Sequence, residues 1–174
     1  MNRSELAGRI KESAYLEGDF VLRSGRHSKY YLDKYMFSAQ PDILAGLGEL
    51  FAQKIKAMDN VEVIAGPELG AVALAASTSL ASGKPFAIVR KARKDYATGK
   101  LVEGAPVVGK RVVLVEDIGT TAGAALAAAK TLTAAGAKVL GLIFAIDRME
   151  GARENVIKAG YQFDSLLTKE DLGI

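Results

Sequence analysis

Apolar positions recur along the chain in two rhythms. Leu6, Ile10, Ala14 and Tyr15 fall at roughly helical spacing behind Ser4, with charges between them, and predict a first helix capped by that serine. Two short runs follow, one over 19–22 and one through Tyr30, Tyr31 and Leu32. The Ser24-Gly25-Arg26 stretch between them reads as a turn joining two strands. Pro41 and Asp42 then open a helix whose apolar residues Ile43, Leu44, Leu47, Leu50, Phe51 and Ile55 keep a 3.6-residue period.

Beyond residue 60 the rhythm changes. Residues 61–65, 86–89, 112–115, 138–146 and 163–167 are β-rich apolar runs without polar alternation, and 69–81, 123–135 and 151–159 are helical in pattern. Buried strands separated by helices predict a doubly wound, mostly parallel α/β sheet covered on both faces. A small helix-and-strand hood over 1–40 precedes it. With 174 residues and no linker-like stretch or repeat, a single domain over 1–174 is expected. In such sheets ligands bind at the carboxyl ends of the strands, so chemistry is to be sought just after Ala65, Val89, Val115 and Ile146.

Composition narrows the chemistry. The absence of cysteine excludes a thiol nucleophile, a disulfide scaffold and a zinc–cysteine site, and a single histidine, His27, excludes a multi-histidine metal centre. His27 falls in a polar turn and reads as a surface residue. The longest apolar run, over 139–146, is too short to span a bilayer, and charges break up the N-terminus where a signal peptide would be apolar. A cytoplasmic protein with no membrane partner is the expectation. The net charge of +3 is mild, suits an acidic small molecule and does not argue for nucleic acid.

The most informative segment is VVLVEDIGTTAGA over 112–124. An apolar strand runs into the adjacent carboxylates Glu116 and Asp117, then a small-residue loop, then a helix. Two like charges at a strand end cost energy unless cations or hydroxyls satisfy them. The loop offers backbone N–H groups at a helix N-terminus and the hydroxyls of Thr120 and Thr121, a cradle for a dianionic phosphate. Together they fit a ribose 5-phosphate. Helix capping by Asp117 or Thr120 explains one polar residue but neither the acidic pair nor the doubled threonine. No G-x-x-x-x-G-K-S/T or G-x-G-x-x-G stretch is present, so nucleotide triphosphatase and dinucleotide-dependent dehydrogenase readings fall.

A second feature is the connection RKARKDYATGKLVEGAPV over 90–107, in which residues 90–100 carry five basic side chains against one acid. About 20 residues between buried strands is long for a compact domain, and such loops tend to be lids. A mobile cationic lid over 90–108 would neutralise a leaving pyrophosphate and exclude water.

The segment over 112–124 resembles the phosphoribosyl pyrophosphate motif of the type I phosphoribosyltransferases. Within that group the lid resembles the R-K-x-x-K-x-H/Y…E-G loop of orotate phosphoribosyltransferases. So does FVLRSGRHSKYY over 20–31, and so does AIDR over 145–148. The four motifs occur in order from about Tyr15 to Ala159. The resemblance implies that Glu116 and Asp117 bind the ribose hydroxyls. Ile118, Gly119, Thr120, Thr121, Ala122, Gly123 and Ala124 would surround the donor, with Gly119 to Ala124 on the 5-phosphate. It implies that Arg90, Lys91, Lys94 and Tyr96 bind phosphoribosyl pyrophosphate, and that the Gly66-Pro67-Glu68-Leu69-Gly70 turn faces the pyrophosphate. Thr120 and Arg148 would contact orotate, Tyr30 and Tyr31 would frame the base, and Arg23 would stand near both substrates. Lys94, Asp117 and Glu116 would be the catalytic groups.

The activity implied is transfer of the 5-phosphoribosyl group to orotate, giving orotidine 5-monophosphate in pyrimidine (UMP) biosynthesis. Magnesium would be held mainly by substrate oxygens, with no protein metal site. The enzyme would be a homodimer whose lid lysine serves the neighbouring active site. Three positions depart from the pattern: Tyr96 stands where many members have histidine, Lys29 replaces a common proline, and Gly70 offers no side chain where some members have lysine. Two alternatives remain: a phosphoribosyltransferase for another base, and a non-catalytic phosphoribosyl pyrophosphate sensor. Arg148, which offers a guanidinium to a carboxylated base, speaks against the first. The short N-terminal helix, with no space for a helix-turn-helix, speaks against the second.

Overall fold

In the computed structural model, which describes residues 1–21, 25, 27–92 and 100–174, the chain begins with helix α1 (Arg3–Ala14). Its cap is Asn2, not Ser4. The Asn2 side chain accepts the Glu5 N–H at 2.9 Å while Glu5 Oε2 accepts the Asn2 N–H at 2.9 Å. This reciprocal capping box outcompetes a serine two residues further in. Tyr15 ends the helix and starts β1 (Tyr15–Val21), which pairs antiparallel with β2 (His27–Leu32). A short helix α2 (Lys34–Ser38), absent from the hydrophobic pattern, follows; Asp33 caps it by accepting from the N–H groups of Tyr35 and Met36. Helix α3 (Pro41–Ala57) starts at the predicted proline.

The main sheet contains β3 (Val63–Pro67), β4 (Phe86–Val89), β5 (Val102–Gly104), β6 (Arg111–Gly119), β7 (Lys138–Asp147) and β8 (Gln162–Thr168). Its order is β5-β4-β3-β6-β7-β8, parallel throughout except for the β4–β5 edge. Helix α4 (Val72–Ser82) connects β3 to β4, α5 (Gly123–Ala134) connects β6 to β7, and α6 (Ala152–Lys158) connects β7 to β8. The expected doubly wound α/β fold is present. Continuous apolarity in β6 conceals a period of two. Val113 and Val115 join the core under α1, α3 and α4, while Val112 and Leu114 join the one under α5 and α6. Phe51 and Phe144 are fully buried as core residues, and Tyr15 packs at the margin.

β5 is a departure from expectation. Part of the segment read as a mobile lid, Val102–Gly104, hydrogen-bonds to β4, Ala105 N–H donates to Phe86 O, and Val107 is buried. Apolar Val102 and Val107 gain core contacts here, so the far half of the connection belongs to the sheet. Arg90 N–H donates to Leu101 O at 2.8 Å and closes the base of the excursion. Residues 93–99, with Lys94 and Tyr96, and Arg23 lie outside the described residues.

Strand order reverses between β3 and β6, and this switch point opens a crevice at their carboxyl ends. At Gly66 the end of β3 touches the start of α4. A Cβ there would stand 2.7 Å from Ala71 O and 2.9 Å from Ala75 Cβ. Gly66→Ala is therefore expected to destabilise the fold by about 1–3 kcal/mol and to lower Tm by several degrees. Thermal unfolding checks this, and an unchanged Tm would show that the contact is not a constraint.

Candidate active site

The buried charged side chains among the described residues are Glu116, Asp117, Asp147 and Arg148, all at the carboxyl ends of β6 and β7. Burying four ionisable groups together is costly unless each finds a partner, which marks this end of the sheet as built for polar ligands. Glu116 and Asp117 lie within β6 rather than beyond it, because the strand continues to Gly119 alongside β7. Glu116 Oε1 accepts the Asp117 N–H at 3.1 Å, and Asp117 Oδ1 accepts the Ile118 N–H at 2.7 Å. Burial, reinforced by the adjacent Asp117, pushes the Glu116 carboxyl up to about 8, against the opposing pull of the Asp117 N–H, Lys34 and Lys91.

Lys34, from α2, is the partner that sequence reasoning missed. Its Nζ lies 2.9 Å from Asp117 Oδ2. Burial disfavours the ammonium, but Asp117, and more weakly Glu116, outweigh it and raise the Lys34 pKa above the ordinary lysine value. Asp33 after a strand is a legible helix-start signal; what Lys34 reaches is decided only when α2 folds back against the sheet.

The carboxylates form one wall of a cavity of about 370 Å³. The Glu68–Gly70 turn after β3 and the Arg90–Lys91 pair after β4 also line it. Glu68 ties these together: its Oε1 accepts the Lys91 N–H at 2.6 Å and its Oε2 lies 3.7 Å from Arg90 Nη1. The cavity also takes in Ile118 and Ala124. Larger grooves, of about 690, 700 and 480 Å³, lie elsewhere and are lined by no buried ionisable side chain among the described residues.

The loop expected to cradle a phosphate continues from β6. Ala122, the N-cap of α5, takes a left-handed φ of 61° and makes no side-chain cap hydrogen bond. Neither Asp117 nor Thr120 caps the helix, so the capping explanation fails. A non-glycine residue in this conformation carries strain that clusters at ligand sites. The first-turn N–H groups of α5, beginning at Gly123 and Ala124, have no intrahelical acceptor. Asn155 Nδ2 donates to Thr121 O at 3.0 Å and holds the loop to α6. Thr120 is half-buried and Thr121 exposed.

Arg148 follows β7 and its N–H donates to Gly119 O at 2.9 Å, which places it beside this loop. Its Nη2 donates to the Tyr30 hydroxyl at 2.9 Å, and the guanidinium lies 4.8 Å from the Tyr30 ring centroid. Tyr30 in turn stacks on Tyr15 at 5.7 Å. Arg148 Nε stands 3.0 Å from Glu150 Oε1, at ion-pair distance but outside hydrogen-bond alignment. Asp147, the other possible partner, instead accepts the Met149 N–H. Tyr31 is not brought to Arg148. Adjacent strand residues point to opposite faces, and Tyr31 packs against Phe20 at 5.6 Å. His27 is exposed at the start of β2.

Among the described residues no group of three or more histidine or acidic side chains could hold a metal. Two carboxylates at one wall suit a hard cation that keeps most ligands from substrate oxygens and water, not a protein cage. No helix among the described residues is long and apolar enough to cross a membrane.

Residues 35–162 match the phosphoribosyl transferase domain family. The orotate phosphoribosyltransferase of Pyrococcus horikoshii is 43% identical over 164 residues, covering 94% of this chain and 88% of that protein. That of Methanocella arvoryzae is 42% identical over 170 residues, covering 97% and 96%. The crystal structure of Mycobacterium tuberculosis orotate phosphoribosyltransferase with Fe(III) dicitrate superposes with a TM-score of 0.89 at 33% identity, over 99% of both chains. The same enzyme in complex with 5-phospho-alpha-D-ribosyl 1-diphosphate gives 0.86 at 32% identity, again over 99% of both chains. With the switch-point crevice, the paired carboxylates and near-complete coverage in agreement, this chain belongs to the orotate phosphoribosyltransferase family of phosphoribosyl transferase domains.

Proposed function

We infer that the protein transfers the 5-phosphoribosyl group of phosphoribosyl pyrophosphate to N1 of orotate, releasing pyrophosphate and forming orotidine 5-monophosphate in pyrimidine biosynthesis. The observation that carries this is the buried Arg148 beside the phosphate-cradle loop and over Tyr30, at the end of the strand that pairs with the one bearing Glu116 and Asp117. A guanidinium there distinguishes a carboxylated base from uracil. The C1–pyrophosphate bond breaks toward an oxocarbenium-like centre, so no protein nucleophile is required, and rate comes from positioning and charge compensation.

In this reading Glu116 and Asp117 take the ribose hydroxyls, and the 119–124 loop takes the 5-phosphate through backbone N–H groups and the Thr120 and Thr121 hydroxyls. Arg90, Lys91 and Lys94, with Tyr96, take the pyrophosphate. Thr120, Tyr30 and Arg148 take orotate, with Arg23 near both substrates. Tyr31, on the far face of β2, is reassigned to supporting the hairpin. Magnesium, when bound with the donor, supplies positive charge to the departing oxygens. A homodimer in which Lys94 serves the neighbouring site and a cytoplasmic location belong to the same reading.

The test is loss of orotate absorbance in the presence of phosphoribosyl pyrophosphate and magnesium, beside uracil, adenine and hypoxanthine. Consumption of orotate alone supports the assignment; consumption of another base in its place overturns it.

A further inference from the structure

Lys34 occupies a position that the assigned roles leave unexplained. Asp117 is to receive a ribose hydroxyl, yet Oδ1 already accepts the Ile118 N–H and Oδ2 is buried without an aligned hydrogen bond, with the Lys34 ammonium 2.9 Å away. The ammonium also lies against the Glu68–Gly70 turn. A Cβ built on Gly70 would stand 2.9 Å from Lys34 Nζ and 2.0 Å from Asp117 Oδ2, so only glycine leaves room for this pair. Lys34 therefore lines the same cavity as the Glu116–Asp117 pair, Arg90 and Lys91, and touches both Asp117 and the turn after β3. Its side chain is one-third exposed, on a five-residue helix, while that of Asp117 is 5% exposed. The lysine is the partner free to move.

We propose that Lys34 is a substrate-binding cation held in reserve on Asp117, which it releases when the ribose hydroxyls arrive and then places on the pyrophosphate. In the empty site it keeps a buried carboxylate paired. In the filled site the hydroxyls replace it on Asp117, and its charge joins those of Arg90 and Lys91 on the donor's most anionic group. A long flexible stem with three rotatable donors suits such an exchange. Glu68 plays the mirror role in the empty site, as an internal anion beside Arg90.

The proposal rests on the phosphoribosyl pyrophosphate reading of the cavity, and the experiment separates the two. Calorimetry on the intact protein measures pyrophosphate with magnesium and ribose 5-phosphate as separate ligands, for wild type, Lys34→Met and Lys34→Arg. Pyrophosphate affinity is expected to fall at least tenfold in Lys34→Met and to recover largely in Lys34→Arg. Ribose 5-phosphate affinity is expected to stay the same or tighten in Lys34→Met, since a competitor for Asp117 is gone. Weaker ribose 5-phosphate binding with unchanged pyrophosphate binding overturns the proposal, because Lys34 would then only buttress Asp117. Equal affinities in all three proteins overturn it as well. Wild type binding neither ligand overturns the reading of the cavity itself. Should Lys34→Met not fold, Lys34→Gln, which keeps a donor for Asp117 without the charge, gives the same comparison.

Discussion

Arg148→Ala is expected to lower kcat/KM for orotate by about 30- to 150-fold, chiefly through KM, while the KM for phosphoribosyl pyrophosphate changes little. The range corresponds to roughly 2–3 kcal/mol for one charge-assisted contact in a dry site. Arg148 is 7% exposed, its guanidinium is oriented by the Tyr30 hydroxyl and ring, and its backbone is pinned to Gly119. A planar fork held this way grips a carboxylate with two parallel bonds, which a lysine cannot copy. Arg148→Lys is accordingly expected to recover only part of the loss. Steady-state kinetics with orotate and uracil decide the matter. An orotate-over-uracil preference equal in wild type and Arg148→Ala would sink the assignment and leave Arg148 as a structural partner of Tyr30 and Glu150.

Glu116→Gln is expected to make the protein more stable above neutral pH and a poorer binder of phosphoribosyl pyrophosphate. The Glu116 carboxyl sits at about 8 in the folded chain against an ordinary 4.5. Between those values the folded protein keeps a proton that the unfolded chain has lost, so the native state binds more protons. Its stability must then fall as pH rises from about 4.5 to about 8 and level off above. Glutamine has no such titration. The stability advantage of Glu116→Gln is therefore absent near pH 4.5 and reaches a few kcal/mol by pH 8, at about 1.36 kcal/mol per pKa unit. Binding measured above pH 8, where the wild-type carboxyl is ionised, should weaken by roughly 1.5–3 kcal/mol, the worth of a hydrogen bond to a charged group. Melting curves from pH 5 to 9, beside calorimetric titration with the donor, test both halves. Parallel pH–Tm curves for the two proteins would refute the first, and unchanged affinity the second.

A carboxylate that destabilises its own fold is the kind of residue a sequence can expose. Glu116 and Asp117 interrupt an apolar strand where only ligand chemistry rewards them, and the small-residue loop behind them carries the same message. The long apolar runs and the 3.6-residue period of α3 were likewise legible, because burial of strands and helix faces is written in residue type. Boundaries were less so. β6 runs on through its two carboxylates to Gly119, since pairing with β7 satisfies their backbone groups whatever their side chains. β5 was hidden because three residues carry no period, and its reason to exist, an open edge on β4, appears only once the sheet is assembled.

Contacts between segments distant in sequence divide the site in the same way. Residue types alone determined that this chain holds a doubly wound sheet, an acidic pair followed by a small-residue loop at a helix N-terminus, and a basic connection after β4. The tertiary structure decided which side chains meet. It sent Tyr30 to Arg148, 118 positions away, and Tyr31 to the opposite face, though they are neighbours in sequence. It folded α2 so that Lys34 covers Asp117, and set Gly70 where any side chain would part them. Local pattern encodes burial and backbone conformation, which are short-range; charge pairing across the crevice depends on how elements pack, and packing is settled only by the whole chain.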